Sequence, residues 1–466
     1  MRPYFLRFGQ RWQHFWIAGS GAPLLLLHGA PHRARALAPL IESLSQSFLV
    51  IAPDAPGNGY SDPLPPSADR SSHYAAAALA LLDELRVDEF GVYGKDSGSV
   101  IAAELAIAAG ARVRGLVCDG FPIWSTDEAE MLNDEYLAST TPVASGAHLA
   151  QLWSRVVDQR LYFPWNQRRS QQAIDKDLND SDELHTLAMD YLDAGDHYAQ
   201  SLRCTLDTDG EARLRAVAEQ QVPALLLADQ ASVVADHIAR VPTLANTTCV
   251  HTSGTEDSER KIAAFFHAAK IRSQDQGIYL PATSRHYVQP RRHPVAADEW
   301  LYVDIPVNAT TNTIWLHDIG QSHRRAPTSN IRIDLPGHGF STLPWPDGQT
   351  TVVNIIAEAM EALGLEGAVM SGRGLGRELA ERHAGTTAKP QPMASMPDLN
   401  TDWAGAHLHR AWHYCRYRTQ YGQWSQRGQG QRNPLTMPDA SILHEQTVDL
   451  LRAGSQTLNA ISAQQQ

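Results

Sequence analysis

An aspartate stands at the centre of a glycine-framed segment, Gly-Lys-Asp-Ser-Gly, at residues 94–98. A strand-like apolar run precedes it and a helix-like run follows it. A strand that passes directly into a helix strains the residue at the turn, and small neighbours let the two elements approach. Asp96 would thereby project at the carboxyl end of a sheet, into a covered cavity. Such a carboxylate can attack an electrophilic carbon and form an ester, which an activated water hydrolyses. The alternative is an ordinary N-cap aspartate.

Alternating strand and helix patterns position this segment. Short apolar runs typical of strands buried on both faces lie at residues 23–29, 48–54, 90–94 and 114–120. Helical spacing lies between these runs, for example in the stretch SSHYAAAALALLDEL. This order predicts an α/β fold with a mostly parallel sheet and helices on both faces.

Length, charge and cysteine content limit the remaining classes. The 466 residues suffice for two or more domains, and a net charge of −12 without a basic run disfavours nucleic acid and anionic membranes as partners. Four cysteines without CxxC spacing predict neither a disulfide framework nor a zinc site, and they fit a reducing cytoplasm. The first residues lack an apolar signal region, and no run approaches about eighteen apolar residues. We therefore expect a cytoplasmic protein without a membrane span.

Three motifs together resemble a known family. The segments HGAP (28–31), DAPGNGYSD (54–62) and GKDSG (94–98) occur in the order and spacing of the α/β-hydrolase fold. An aspartate at the turn resembles the epoxide hydrolase and haloalkane dehalogenase branch, and the likeness extends over residues 1 to about 270. The resemblance implies that Asp96 is the nucleophile, that the backbone N–H groups of Ala30 and Ser97 bind the oxyanion, and that the substrate is a small hydrophobic molecule.

The residues around the turn favour one part of that branch. Dehalogenases tend to place Trp after the nucleophile, whereas Ser97 stands here, and HGAP resembles the HGxP of epoxide hydrolases. His28 of this motif is a candidate substrate-binding residue. Epoxide hydrolases bind the epoxide oxygen with two lid tyrosines, for which Tyr162, Tyr191 and Tyr198 are candidates, with ordinary packing as the alternative.

The chain departs from the family pattern where the acid and the base are expected. Asp229, after the penultimate strand pattern, and Asp119, after the fourth, are the candidate acids. Where the family pattern reads Gly-His, this chain reads Gly254 and Thr255, and His251 is the nearest candidate base; a strand histidine without function is the alternative. An aspartate nucleophile without a base would stop at the ester. Two hypotheses therefore remain, an epoxide hydrolase-like enzyme and a non-catalytic or non-hydrolytic binding protein of the same fold.

The second half of the chain repeats parts of the first. Residues 146–168 align without gaps with residues 405–427, a shift of 405 − 146 = 259 that gives nine identities in 23 positions. The segment VMSGRGLGR (369–377) matches GVYGKDSGS (91–99) and places Gly374 opposite Asp96. Glycine has no side chain to attack a substrate. We therefore expect an α/β-hydrolase module at 1–270 and a degenerate, truncated module at 271–466.

The repeated helical segments, at about 124–215 and 402–464, lie where the family inserts a lid. Trp153 and Tyr162 could line a hydrophobic pocket beneath it, although their spacing also suits helix packing. The second module would lack the last two strands, and its open sheet edge would need a cover, either the first module or a second copy in a homodimer. His409 and His413 have a spacing that suits a metal on a helix, but no acid accompanies them. We expect no metal and no cofactor.

Overall fold

The computed structural model describes residues 1–466 except 133, 139–140, 175–179, 275–276, 308, 310–311, 387–395, 422–436 and 466. Contacts within the chain divide it into two compact units. The first consists of Met1–Thr140, Arg155–Asp180 and Thr186–Ala282, and the second of Thr141–Ser154, Ser181–His185 and Thr283–Gln466. The boundaries of these units differ from those of the predicted modules 1–270 and 271–466. The predicted lid is divided between the two units.

An eight-stranded sheet forms the centre of the first unit. Its strands are β1 (Arg2–Phe8), β2 (Arg11–Ala18), β3 (Ala22–Leu27), β4 (Phe48–Pro53), β5 (Phe90–Lys95), β6 (Val113–Asp119), β7 (Ala224–Asp229) and β8 (Thr247–Thr252). They lie in the order β1-β2-β4-β3-β5-β6-β7-β8, and β4 to β8 pair in parallel. The predicted α/β fold is confirmed. The antiparallel hairpin β1–β2 at one edge was not among the predicted strands.

The helices along this part of the chain are α1 (Ala38–Leu44), α2 (Ser71–Glu84), α3 (Ser97–Ala109), α4 (Thr126–Met131), α5 (Ala147–Leu161), α6 (Ser181–Ala194), α7 (His197–Leu206), α8 (Gly210–Glu219) and α9 (Thr255–Ala268). Among them, α3 and α9 pack on opposite faces of the sheet. Because neighbouring strand residues face opposite sides, Val92 joins a core with Leu105 of α3, whereas Tyr93 joins one with Phe266 of α9. The continuous apolar strands therefore reflect burial on both faces.

The second unit contains a smaller sheet of five strands. These are β9 (Arg285–Val288), β10 (Leu301–Asp304), β11 (Thr313–Leu316), β12 (Ile331–Asp334) and β13 (Val369–Gly372), in the order β13-β11-β12-β10-β9. Its helices are α10 (Gln349–Ala362), α11 (Leu375–His383), α12 (Ala406–Tyr421) and α13 (Ala440–Gln465), the last interrupted at Gly454. The strand order repeats β5-β3-β4-β2-β1 of the first sheet.

The smaller sheet ends earlier than the sequence suggested. We expected two strands to be missing, but no strand of the described residues follows β13, so counterparts of β6, β7 and β8 are all absent from that part of the chain. The edge strand β13 leaves Val369 67% exposed. No described helix of either unit is long and apolar enough to cross a membrane.

Candidate active site

The turn from β5 into α3 places Asp96 at the carboxyl end of the first sheet. Its backbone has φ 49° and ψ −121°, and its side chain makes no capping hydrogen bond to the helix. A Cβ atom at Gly94 would lie 2.3 Å from the carbonyl oxygen of Gly98, so the close approach requires glycine there. A positive φ is uncommon outside glycine, and strain of this kind concentrates at functional sites. This geometry matches the strained turn that the sequence predicted and differs from an ordinary N-cap.

Backbone contacts and small residues surround Asp96. Its N–H donates to the carbonyl oxygen of Asp119 at 2.8 Å, and its own carbonyl accepts the N–H of Ser99 at 2.9 Å. A Cβ atom at Gly29 would lie 3.1 Å from the Cβ of Asp96, and one at Gly120 would lie 2.7 Å from its Oδ1. A larger residue at Gly29 would therefore contact the Cβ of Asp96, and one at Gly120 would contact its carboxylate.

The expectation of a covered cavity around Asp96 is wrong, because Asp96 is an exposed residue. The residues of the predicted lid belong to two different units. Its segments Thr141–Ser154 and Ser181–His185 make their contacts within the second unit. Only the remaining lid residues pack as part of the unit that carries Asp96.

A lysine that the sequence analysis did not assign lies among the acidic residues of this edge. The Nζ of Lys95 is 3.2 Å from Oδ2 of Asp119, and the same oxygen accepts the Tyr93 hydroxyl at 2.8 Å. Burial alone would lower the pKa of Lys95. The negative charges of Asp119, Asp96 and Asp229 outweigh burial and raise that pKa above its ordinary value. Lys95 is therefore a cation that balances the predicted carboxylates, and its position directly before the turn was the available signal.

The two candidate acids differ in what holds them. Asp119 is 7% exposed and lies opposite Lys95 in the register of β5 and β6. Asp229 ends β7, and its Oδ1 accepts the N–H of Ala231 at 2.8 Å. The structure therefore brings Asp119 next to the turn residue, with Asp229 within charge range of the same lysine.

The candidate base His251 is not brought to the turn. It lies within β8, opposite Ala228, and is exposed. Side chains within a strand project from the faces of the sheet, and β8 lies three strand spacings from β5, roughly 14 Å. The next residues along the chain, Ser253 and Gly254, offer no imidazole.

A histidine that the sequence analysis did not propose, His237, lies in the segment that follows β7. His237 is 4% exposed, accepts the Ile123 N–H through Nδ1 at 3.1 Å, and has Nε2 3.6 Å from Oε1 of Glu128. Burial lowers its pKa. Val234 comes three residues before His237. One of its methyl groups would lie 3.6 Å from a Cβ atom at Gly120, and that Cβ atom would lie 2.7 Å from Oδ1 of Asp96. The sequence analysis missed His237 because it follows the penultimate strand pattern instead of the last.

His28 and the predicted oxyanion groups are already engaged. His28 is 2% exposed; its Nδ1 lies 3.1 Å from the Gly29 carbonyl, and its Nε2 accepts the Ala55 N–H at 2.8 Å. Both ring nitrogens of this predicted substrate-binding residue therefore contact backbone. The Ala30 N–H donates to Oγ of Ser97 at 2.9 Å. An oxyanion would take the place of that hydroxyl.

The predicted lid tyrosines contact an arginine. Arg155 donates to the Tyr198 hydroxyl, and its guanidinium lies 4.5 Å from the ring centre of Tyr191. The Tyr191 hydroxyl donates to Gln159 at 2.9 Å. Tyr162 is half-buried at a bridge with Ala173. None of these observations places one of the three hydroxyls at the turn.

Tyr93 and Tyr136 both lie within electrostatic reach of Asp96. The Tyr93 hydroxyl donates to Asp119, whereas Tyr136 is a residue that the sequence analysis missed. Burial raises the pKa of Tyr136, and the charge of Asp96 contributes to that rise. Its ring lies 6.3 Å from Phe163 and 6.4 Å from Trp165, between centroids. No periodic pattern marks this residue, because it lies in an irregular segment after α4.

Trp153, the other predicted pocket residue, packs in the second unit. It is 5% exposed, and its indole N–H donates to the Trp403 carbonyl at 2.9 Å. Within the described part of the chain, no group of three or more His, Cys, Asp and Glu side chains is arranged to hold a metal ion.

Comparison with known proteins identifies the fold of this site. The family model for the alpha/beta hydrolase fold matches residues 22–151, a range that contains β3 to β6 and the turn at Asp96. Residues 22–151 therefore have the α/β-hydrolase fold. The matched range includes HGAP and the strained turn, which are the motifs that carried the resemblance.

Curated relatives match part of the chain. Haloalkane dehalogenase 2 of Mycobacterium tuberculosis H37Rv is 29% identical over 130 residues, 28% of this chain and 46% of that protein. A soluble epoxide hydrolase of Corynebacterium sp. C12 is 38% identical over 89 residues, 19% of this chain and 31% of that protein. The chain therefore spans less than half the length of these relatives.

A solved epoxide hydrolase mutant of Vigna radiata is similar at 19% identity and a TM-score of 0.45. That similarity covers 57% of this chain and 98% of that structure.

Proposed function

We propose that the chain is an epoxide hydrolase-like enzyme in which Asp96 attacks an electrophilic carbon of a small hydrophobic substrate. The observation that carries this proposal is the positive φ of Asp96, 49°, at the carboxyl end of the sheet. Such geometry costs on the order of 1–3 kcal/mol and persists where the surrounding structure enforces it. A capping aspartate would not need it. The relatives named as an epoxide hydrolase and a haloalkane dehalogenase support the same class of reaction.

The first half-reaction forms an ester between Asp96 and the substrate. A carboxylate oxygen of Asp96 attacks an epoxide carbon, and the C–O bond of the three-membered ring breaks as the ester bond forms. The oxygen that leaves the carbon takes a proton from a general acid. Tyr136 is the candidate for this role because it lies within electrostatic reach of Asp96 and its hydroxyl carries a proton near neutral pH.

The second half-reaction hydrolyses the ester. Water adds to the carbonyl carbon of the esterified Asp96, and the oxyanion takes the place of the Ser97 hydroxyl at the Ala30 N–H. The water proton passes to a base. His237 is the candidate on this edge, and it can take the proton at Nδ1 only when the Ile123 N–H has left that nitrogen. The ester C–O bond then breaks, and the leaving alkoxide takes the proton from that base to give the diol. The remaining proton of the Asp96 carboxyl group returns to the Tyr136 phenolate, which restores the carboxylate.

A binding protein without turnover is the second candidate. It is favoured by the placement of His251 on β8, exposed, and by Gly254 near the position where the family carries its histidine. Such a protein could form the ester and stop, or bind its ligand without forming a bond.

Intact-mass measurement separates these candidates. We expect incubation with styrene oxide and other small epoxides to add one substrate mass, mapped to Asp96 by peptide analysis, with diol released more slowly. Asp96→Asn should remove the adduct, whereas Asp88→Asn, at an exposed position before β5, should leave it unchanged. Neither adduct nor diol from any epoxide or alkyl halide would overturn the proposal in favour of a binding protein.

The general acid can be tested apart from the nucleophile. Tyr136→Phe should slow adduct formation with epoxides by about 10²-fold, the scale of general-acid catalysis. It should leave alkyl halides unaffected, because a halide leaves without a proton. Tyr279→Phe, at a residue 46% exposed, is the matched control. Equal slowing with both substrate classes would show that Tyr136 supports the structure instead of donating a proton.

A further inference from the structure

The second unit has a turn with the same backbone as the one at Asp96. Gly374 has φ 52° and ψ −122°, within 3° of the values at Asp96. The strand registers agree, since Leu27 of β3 pairs with Gly94 and Leu316 of β11 pairs with Gly372. The turn residue therefore follows two positions after the paired glycine in both units.

A carboxylate is nevertheless present at the second turn. The Oδ1 of Asp318 accepts the N–H of Ile319 at 2.8 Å and the N–H of Leu375 at 3.0 Å. Its Oδ2 accepts Nη2 of Arg418 at 2.5 Å. Register places Ile319 and Leu375 where the first unit has Ala30 and Ser97. Asp318 thus binds the two backbone groups that match the predicted oxyanion pair.

The Asp318 carboxylate occupies the space that a side chain at position 374 would need. A Cβ atom built at Gly374 would lie 2.0 Å from Oδ1 of Asp318, so a side chain at the turn and this carboxylate exclude each other. The first unit has the opposite arrangement, with Asp96 at the turn and Gly29 at the position of Asp318. A Cβ atom at Gly29 would lie 3.1 Å from the Cβ of Asp96. Each turn therefore has room for one carboxylate, supplied from either of two positions.

We propose that the second unit contains a carboxylate-binding site that is occupied by its own Asp318. The site consists of the Ile319 N–H in the segment after β11 and the Leu375 N–H at the start of α11, with the Arg418 guanidinium opposite. The N–H at the helix N-terminus favours a negative charge, the second N–H adds a hydrogen bond, and arginine adds a charge-assisted bond. The ligand class is a small carboxylate. This inference does not require the first unit to be catalytic.

A neighbouring cavity shows how a soluble ligand would reach the site. It has a volume of about 140 Å³ and is lined in part by Gly320, Tyr414 and Arg418. Gly320 follows Ile319 directly, so the cavity borders the anion-binding backbone. With the Asp318 side chain removed, acetate could bind the same N–H groups and retain Arg418 as its counter-ion.

Removal of the internal ligand is the first test. Asp318→Gly recreates the Gly29 arrangement, and we expect its melting temperature to fall by roughly 4 °C or more. Sodium acetate should raise that temperature relative to sodium chloride at equal ionic strength, and should shift the amide resonances of Ile319 and Leu375. Wild type should show neither effect. Asp318→Asn keeps an oxygen at the N–H groups and should not respond to acetate.

The reciprocal exchange is the second test, and it does not depend on a stable Asp318→Gly variant. Gly374→Asp alone should lower the melting temperature strongly, because two carboxylates would share one space. Asp318→Gly with Gly374→Asp should recover most of that loss. If the double variant is no more stable than Gly374→Asp alone, or if acetate stabilises wild type as much as Asp318→Gly, the proposal is overturned.

Discussion

The two units keep the same scaffold at the carboxyl ends of their strands but differ at the turn. In the first unit Ala55 donates its N–H to Nε2 of His28 at 2.8 Å, and in the second Leu335 donates to Nε2 of His317 at 3.0 Å. The turn residue is Asp96 in one and Gly374 in the other. Contacts that persist where the turn has no side chain cannot serve the Asp96 carboxylate alone. The comparison therefore assigns the His28 ring to the structure of this edge.

A buried aspartate shows the same persistence. Oδ1 of Asp54 accepts the Ala34 N–H at 2.8 Å, and its Oδ2 accepts the Tyr60 N–H at 2.9 Å and lies 2.8 Å from Nδ1 of His14. Burial alone would raise its pKa, but His14 and these hydrogen bonds lower the pKa to about 2. The carboxylate is therefore a charged centre that fixes the loop after β4.

Asp334 repeats this arrangement in the second unit. It accepts the N–H of His323 at 2.5 Å and that of Phe340 at 2.7 Å, and the His323 ring lies 2.7 Å away. His323 together with the hydrogen bonds lowers the pKa of Asp334 well below its usual range despite burial. The histidine comes from a different part of the fold in each unit, yet the carboxylate is held alike.

Removal of these carboxylates should have the largest effect among the tests of this comparison. We expect Asp54→Ala and Asp334→Ala each to cost about 3 kcal/mol or more in the free energy of unfolding, because each leaves buried donors without an acceptor. Urea denaturation gives the cost, and hydrogen exchange should localise it to the unit concerned. Asp88→Ala, at an exposed position, is the control. Unequal costs, one large and one near zero, would end the structural equivalence.

Much of this scaffold could be predicted from the sequence. The run PLLLLHG is apolar throughout because the strand is buried on both faces, and the turn residue is recognisable because only glycine fits at positions 94 and 98. The β1–β2 hairpin was missed because its polar and aromatic residues, RWQHFWIA in the second strand, lack the continuous apolar pattern of the inner strands.

The site was predictable only in part. Asp96 stands in a local motif, but Tyr136 and His237 come to this edge through long connections that carry no periodic signal. The covered cavity was predicted from the position of the lid along the chain, whereas segments 141–154 and 181–185 pack in the second unit. The role of Asp318 was missed because no sequence pattern shows which backbone N–H groups its carboxylate binds. Only the structure shows that these groups lie beside the turn at Gly374.

The helices of the predicted repeat offer a second comparison. A Cβ atom at Gly146 would lie 2.6 Å from the Trp412 ring, and one at Gly405 would lie 2.3 Å from the Trp153 ring. The shift of 259 relates both members, since 146 + 259 = 405 and 153 + 259 = 412. Such reciprocal contacts are typical of two copies related by a two-fold axis. They support the repeat, which stays a prediction.

Replacing these glycines with alanine tests whether the two contacts are equivalent. We expect a loss of unfolding free energy between that of the carboxylate variants and that of the histidine variants. We expect Gly146→Ala and Gly405→Ala each to destabilise by about 2–3 kcal/mol, because the new methyl group meets an indole ring and φ is positive. Gly195→Ala has a positive φ of 54° but nothing within 4 Å of the added Cβ, so it should cost only about 1 kcal/mol. The repeat interpretation loses its support if only one of the two indole contacts is sensitive.

Two histidine pairs repeat the same reciprocity. Nε2 of His148 lies 3.3 Å from Nδ1 of His444, and Nδ1 of His185 lies 3.1 Å from Nε2 of His407. The shift of 259 converts one pair into the other, since 148 + 259 = 407 and 185 + 259 = 444. Burial lowers the pKa of His148, His185 and His407 to about 4 each. The neighbouring His444 contributes to the lowered pKa of His148, and His185 contributes to that of His407.

Acid should therefore weaken the second unit through these pairs, with the smallest effect per residue of the three tests. The unfolded chain binds protons below about pH 6.5, whereas the folded histidines stay neutral down to about pH 4, so stability falls as pH falls through this window. Each histidine should contribute about 1–2 kcal/mol to that fall. His148→Gln and His185→Gln, compared by urea denaturation at pH 7 and pH 5, should each reduce the pH dependence by similar amounts. A dependence unchanged in both variants would place the acid-sensitive groups elsewhere, and a change in only one would show that the two pairs are not equivalent.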